Sequence, residues 1–266
     1  MVKFSRNRAL LLSALIQPVL WLALYGVSMT SNVNLFYPNG SAPPGAVSVS
    51  YMTFITAGVV GMTILFTCLY AGQNVQFDKR FGIMKEILVS PLRRSQIILG
   101  ITLGGITRAL IQSVIVVIFG YALGVQFFHG LTPAATLASI GGILLFAVLF
   151  STSLMFLSSA MAMKVKDYNV SYAIITLLTL PLFFASDALY PINYLPQALK
   201  VAAYLNPLTY FINGVRYFGI GPDFYSFGIH YVTSSYDLLI SLGFLAVFGI
   251  IMFFLAVRAF ETTTEF

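Results

Sequence analysis

The sequence predicts an all-α integral membrane protein with six transmembrane helices, and three observations carry that prediction. Of 266 residues, 59% are hydrophobic and only 8% are charged. A soluble domain carries about 25% charged residues and must cover its surface with polar groups, a cover that lipid does not require. The apolar residues fall in runs about as long as a bilayer core is thick. The Lys and Arg residues gather in alternate breaks between those runs, which is a topology pattern.

The first span is read at 9–29. Lys3, Arg6 and Arg8 before an apolar run resemble a signal peptide, but the run from Ala9 to Ser28 is long enough to span and more spans follow. It is therefore read as a retained helix, with Pro18 inside it, as membrane helices tolerate when neighbours reoccupy the freed carbonyl. The remaining spans are read at 51–73, 97–125, 135–162, 169–186 and 238–257. Strands of a membrane barrel would alternate in polarity over about ten residues, and these runs do not. The whole chain, 1–266, reads as one membrane domain.

Charge sets the orientation. Lys3, Arg6, Arg8, Lys79, Arg80, Lys85, Arg93, Arg94, Lys164, Lys166 and Arg258 share one side of a six-span chain. Loops 30–50 and 126–134 carry no Lys or Arg, and 187–237 has Lys200 and Arg216 alone. The positive-inside rule places both termini in the cytoplasm of a cell membrane. The net charge of +6 is spread over these breaks rather than along one stripe, which argues against a nucleic-acid partner. Cys68 is the single cysteine, so no intrachain disulfide forms. His129 and His230 make no metal motif and read as loop residues, and Asn39-Gly40-Ser41 reads as a surface turn or a formal glycosylation acceptor.

Two connecting segments are unusual. In 77–90, Phe77, Phe81, Met84 and Leu88 recur at helical spacing, with Asp78, Lys79, Lys85 and Glu86 on other faces and Pro91 as a stop. The expectation is one short amphipathic helix on the cytoplasmic side, either lying in the lipid headgroups or docking a cytoplasmic partner. The external segment 187–220 is too apolar for an exposed loop, and Pro191, Pro196 and Pro207 interrupt it. Two short helices that enter from outside and turn near Asn206-Pro207 fit this pattern, as an outer gate or as an external cap. Leu195, Leu199 and Leu205 are the expected anchors of the first piece, and Tyr204, Tyr210 and Tyr217 suit the interface.

The chemistry missing from the sequence is equally informative. It has no G-x-x-x-x-G-K-[ST], G-x-S-x-G, H-E-x-x-H or cysteine cluster, so it does not read as an enzyme. Asp78, Glu86, Asp167, Asp187, Asp223, Asp237, Glu261 and Glu265 all lie at or near span edges, which argues against ion-coupled transport. The energy source then lies outside this chain. Arg108 is the one charge placed inside a span, either snorkelling to the inner headgroups or contacting the translocation path or a second protomer.

Three passages together resemble the ABC-2 type permease family, in particular its short multidrug and daunorubicin-exporter-like branch. Gln17-Pro18 with Trp21 and Gly26 resembles a QP-x-x-W-x-x-x-x-G stretch. Arg80 through Arg94, with Gly82, Glu86, Leu88, Ser90-Pro91 and Arg93-Arg94, resembles R-x-G-T-x-E-x-L-x-x-[ST]-P-x-x-R, with Ile83 where threonine is common. Tyr190-Pro191, Leu195-Pro196, Leu205 to Tyr210 and Arg216 resemble an ending F-P…LP…L-NPLTY…R, with Asp187 replacing a small residue.

The resemblance implies six helices per subunit and an exporter of two permeases, read as a homodimer, with two separate cytoplasmic ABC ATPases. ATP and Mg would be bound by those partners, with no cofactor in this chain. The 77–90 helix would be the coupling helix, with Phe77, Arg80, Phe81, Met84, Glu86, Leu88, Pro91 and Arg93 facing the ATPase. Arg108, Asp187, Pro191, Pro196, Asn206, Pro207, Tyr210 and Arg216 would line the gate or path. The expected function is outward movement of a small amphipathic compound or lipid by alternating access; the alternative is a membrane anchor or scaffold for a cytoplasmic partner. Before the first span the family often has a longer segment than the eight residues found here.

Overall fold

The computed structural model describes residues 15–36, 47–89, 91, 94–226 and 228–262. Helix α1 runs over 15–36, with π-helical winding at Trp21–Gly26 followed by Val27–Phe36. Then come α2 (Tyr51–Arg80), α3 (Ile83–Val89), α4 (Arg94–Ala122), α5 (Pro133–Lys164) and α6 (Tyr168–Phe184). One 3₁₀ turn (Ile192–Tyr194), α7 (Gln197–Tyr204) and α8 (Pro207–Gly219) lead to a hairpin of β1 (Asp223–Ser226) and β2 (Ile229–Val232), and α9 (Ser235–Thr262) closes the chain. Among the described residues, α2, α5, α9 and the Ser95–Ala122 part of α4 are long and apolar enough to cross a membrane, and α6 is a shorter apolar helix.

The core is built on α2. Its apolar residues go all round the helix rather than along one stripe, so every face must be covered. Helices α4, α5, α6 and α8 pack on it, and α9 packs on the far side of α5. Small residues set how close they come. Gly72 lies against Ser158 of α5, Gly105 of α4 against Met155, and Gly26 of α1 against Met52. Ser158 also donates to the Leu69 carbonyl at 2.6 Å, so a polar group in the core is satisfied by the neighbouring backbone.

Two of the basic residues meet at one end of the bundle. Lys79 reaches the Met163 carbonyl at 2.9 Å, Gln76 reaches the Val165 carbonyl at 2.5 Å, and Lys164 reaches Thr262 Oγ1 at 2.6 Å. These contacts tie the C-terminal ends of α2, α5 and α9 into one basic end. At the far end, the Gln126 N–H donates to Thr53 Oγ1 at 3.1 Å and the Phe128 N–H to the Gly219 carbonyl at 2.7 Å. Residues Val47 to Val49 exchange hydrogen bonds with Tyr225, which joins the start of α2 to the hairpin.

Several sequence expectations change. The stretch 77–90 is not one helix. Helix α2 continues to Arg80 because Gln76 and Lys79 anchor its last turn on α5, and the chain then turns at Phe81-Gly82, with Gly82 at φ 77°, before α3 begins. The fold is not purely helical, since Asp223–Ser226 pairs with Ile229–Val232 after the broken segment. Leu195 is buried, but Leu199 and Leu205 are exposed, so α7 is not held by all three leucines. The first part of the expected 9–29 span, Arg93 and Asn39 lie outside the described residues.

Candidate functional site

The far end of the bundle holds a broken helix whose loose backbone groups are satisfied by side chains. Pro181 lies inside α6, and the helix ends at Phe184. Asn206 closes that end: its Nδ2 donates to the Leu182 carbonyl at 2.6 Å and to the Ala185 carbonyl at 2.8 Å, while its Oδ1 accepts from the Leu208 N–H at 3.0 Å. One residue thus caps the start of α8 and the finish of α6, two sets of backbone groups that a helix cannot satisfy internally. Pro207 at the first position of α8 loses nothing, because its missing N–H would have had no helical partner. Thr209 Oγ1 donates to the Ala203 carbonyl at 2.8 Å and Tyr210 Oη to the Tyr204 carbonyl at 2.7 Å, so α7 is secured by α8. Pro191 and Pro196 stand just before the 3₁₀ turn and α7, each supplying a carbonyl to the turn that follows.

An ion pair sits on this framework. Arg216 Nη1 bonds Asp187 Oδ2, and Nη2 donates to the Asp187 carbonyl at 2.5 Å. Both residues are buried, and the guanidinium carbon lies 3.5 Å from the centre of the Phe54 ring. The face of α2 that receives them runs Phe54, Gly58, Gly61. A Cβ on Gly58 would collide with the Ala188 backbone, and one on Gly61 would meet Leu208 at 2.7 Å. The glycines therefore let the Asp187-Ala188 segment and α8 lie directly on α2. Tyr231 of β2 stacks on Phe224 at 4.9 Å and packs against Phe54 at 5.5 Å, which roofs the pair from the hairpin. Burial pushes the Tyr231 phenol well above the usual tyrosine range; Asp187 adds to the rise and Arg216 opposes it.

The structure brings Asp187, Asn206, Pro207, Tyr210 and Arg216 into one assembly. It adds Phe54, Gly58, Gly61, Thr209 and Tyr231, which sequence reasoning did not single out. The Gly58-x-x-Gly61 spacing was the available signal for a close approach; Phe54 and Tyr231 had none. Arg108 is elsewhere, half-buried on α4 and facing Cys68 of α2. Gln112, one turn further, accepts from Thr67 Oγ1 at 2.5 Å.

At the basic end, Phe77 and Phe81 are exposed and their ring centres lie 4.3 Å apart. Arg80, Glu86 and Pro91 are exposed with them. The backbone of Met84 and Leu88 belongs to α3, and their side chains lie outside the described set. Among the described residues, no cluster of His, Cys, Asp and Glu could hold a metal ion.

The ABC-2 type transporter family profile matches residues 1–218. The transport permease ycf38 of Porphyra purpurea is 31% identical over 214 residues, covering 80% of this chain and 68% of its own. The inner membrane transport permease YadH of Escherichia coli (strain K12) is 27% identical over 209 residues, 78% of this chain and 75% of its own. The doxorubicin resistance ABC transporter permease protein DrrC of Mycobacterium tuberculosis is 21% identical over 221 residues, 83% of this chain and 74% of its own. The profile match over most of the chain and the 31% identical relative show that this chain, with its apolar helices gathered on α2, belongs to the ABC-2 type transporter family.

Proposed function

We propose that this chain is the permease subunit of an ATP-driven exporter that moves a small amphipathic compound or lipid outward by alternating access. Two copies form the path, and separate cytoplasmic ABC ATPases bind ATP and Mg and supply the energy. The basic end, with both termini, faces the cytoplasm of the cell membrane. The carrying observation is the contrast between the two ends. Phe77 and Phe81 stand exposed beside Arg80 and Glu86 at the basic end, as a docking surface requires. The far end is closed by polar contacts between α6, α8 and α2 that a rigid-body shift of α8 would break together. Asp187 and Arg216 are the latch of an outer gate, and Asn206 and Pro207 are its turn.

The test is co-expression with an ABC ATPase from the same genome, followed by co-purification and ATPase assays in lipid nanodiscs. The complex should form and its hydrolysis should respond to amphipathic compounds. Glu86→Lys should retain membrane insertion and lose that response. A Glu86→Lys complex with undiminished ATPase response and export would remove the docking role from this surface.

A further inference from the structure

The ion pair leaves two polar atoms over, and the tyrosine above it leaves a third. Asp187 Oδ1, Arg216 Nε and the Tyr231 hydroxyl are all buried, and none finds a hydrogen-bond partner among the described residues. They come from three different elements: the end of α6, α8 and the hairpin. Arg216 and Asp187 are 3% and 6% exposed, so bulk water does not reach them. Their chemistry is complementary. Arg216 Nε can only donate, Asp187 Oδ1 as a carboxylate can only accept, and the tyrosine hydroxyl does either. A buried polar atom left unmatched costs about 1–3 kcal/mol, and native interiors rarely keep three together.

We propose that this corner of the far end is a binding site for one hydroxyl oxygen, from an ordered water or from a lipid or substrate alcohol. The oxygen accepts from Arg216 Nε, donates to Asp187 Oδ1 and shares a hydrogen bond with Tyr231. A single hydroxyl-sized ligand meets two to four polar partners at such sites, and this corner supplies three. An anion is disfavoured because Asp187 already balances Arg216, and a cation because Arg216 carries its own positive charge at the same pair. The site also has a mechanical consequence. Bound oxygen couples the hairpin to the ion pair, so Tyr231 becomes part of the closure at this end rather than only a ring stacked above it. This inference stands on the geometry of the closed end and does not need the transport reading.

The sign of the Tyr231→Phe effect is diagnostic. With the site filled, the variant loses a hydrogen bond and strands the bound oxygen, so the thermal midpoint of the purified full chain falls by several degrees. With the site unfilled, the same change deletes an unmatched buried hydroxyl, and the midpoint stays or rises. An unchanged or raised midpoint overturns the proposal. A high-resolution structure in nanodiscs separates the sources. In phosphatidylcholine, an isolated density peak within hydrogen-bond distance of two or more of the three atoms identifies water. In phosphatidylglycerol, a peak continuous with a headgroup identifies a lipid alcohol. Either supports the site. No peak in either lipid, with other buried waters visible, overturns it, as does a Tyr231 hydroxyl turned directly onto Asp187.

Discussion

Arg216→Met should destabilise the fold more than any change in its volume explains. The substitution keeps an apolar stem over Phe54 but removes the charge that Asp187 faces. Asp187 is 6% exposed and Arg216 3%. Breaking one half of a pair buried to that degree leaves an uncompensated charge and costs about 3–5 kcal/mol. The lost ring contact at 3.5 Å adds a cation–π contribution of about 1 kcal/mol. For a chain of this size each kcal/mol moves the thermal midpoint by about 2–4 °C, so a fall on the order of 10 °C is expected. The assay can use the protein's own chemistry. Cys68 is the single cysteine and is fully buried, so a thiol-reactive fluorophore reports its release on heating in detergent. Asp187→Leu alone should also fall steeply. The double variant Asp187→Leu/Arg216→Met removes both charges and should recover most of the loss, because replacing a buried pair with apolar residues is often neutral or better. A double-mutant cycle with no coupling, or an Arg216→Met midpoint within about 2 °C of the parent, would refute the reasoning.

Gly58→Ala should lower the midpoint clearly, since its Cβ meets the Ala188 backbone. Gly104→Ala should hold or raise it, since nothing lies within 4 Å and a helical glycine costs up to about 1 kcal/mol against alanine. Asn206→Ala leaves the Leu182 and Ala185 carbonyls unmatched, at about 1–3 kcal/mol each. Asn206→Asp should not rescue it, because it keeps the cap acceptor and loses both donors; thermal midpoints of the two variants check this. Phe77→Ser with Phe81→Ser changes exposed rings and should leave the midpoint within a degree or two, while pull-down of the ATPase falls at least tenfold.

The apolar bundle was legible because lipid forces long apolar runs, and the meeting of Lys79 and Lys164 at one end was legible because both stand in breaks between those runs. The end of α2 was not. Asp78, Lys79 and Arg80 read as the start of a separate amphipathic helix over 77–90, yet Lys79 and Gln76 turn back to carbonyls at the end of α5 and extend α2 through the polar stretch. The hairpin was missed because Asp223–Ser226 and Ile229–Val232 are four residues each, too short for an alternation to register. The Asn206-Pro207 turn was legible from local chemistry alone. Asn206 reaching back to α6 was not, because its partners lie 24 and 21 residues away. Asp187 stood out as a departure from its family's small residue, and its pairing with Arg216 emerged only once α8 had folded back onto α2.

In the proposed outer gate, the kind of contact at the far end would decide how that end opens. In the middle of the bundle, α2 meets its neighbours through close-packed apolar faces, which resist separation gradually and over a large area. At the far end, Asn206, Arg216, Thr209 and Tyr210 hold α6, α7 and α8 through individual directional bonds. Such bonds are strong while the surroundings stay dry and weak once water enters, because water both screens the charges and competes for the donors. Separation of α8 from α6 is therefore self-reinforcing: the first molecule of water admitted to the Asp187–Arg216 pair lowers the resistance to the next. Closure reverses this, and each bond re-formed expels the water that weakened its neighbour. An end built this way favours two states, sealed or wet, over any halfway arrangement.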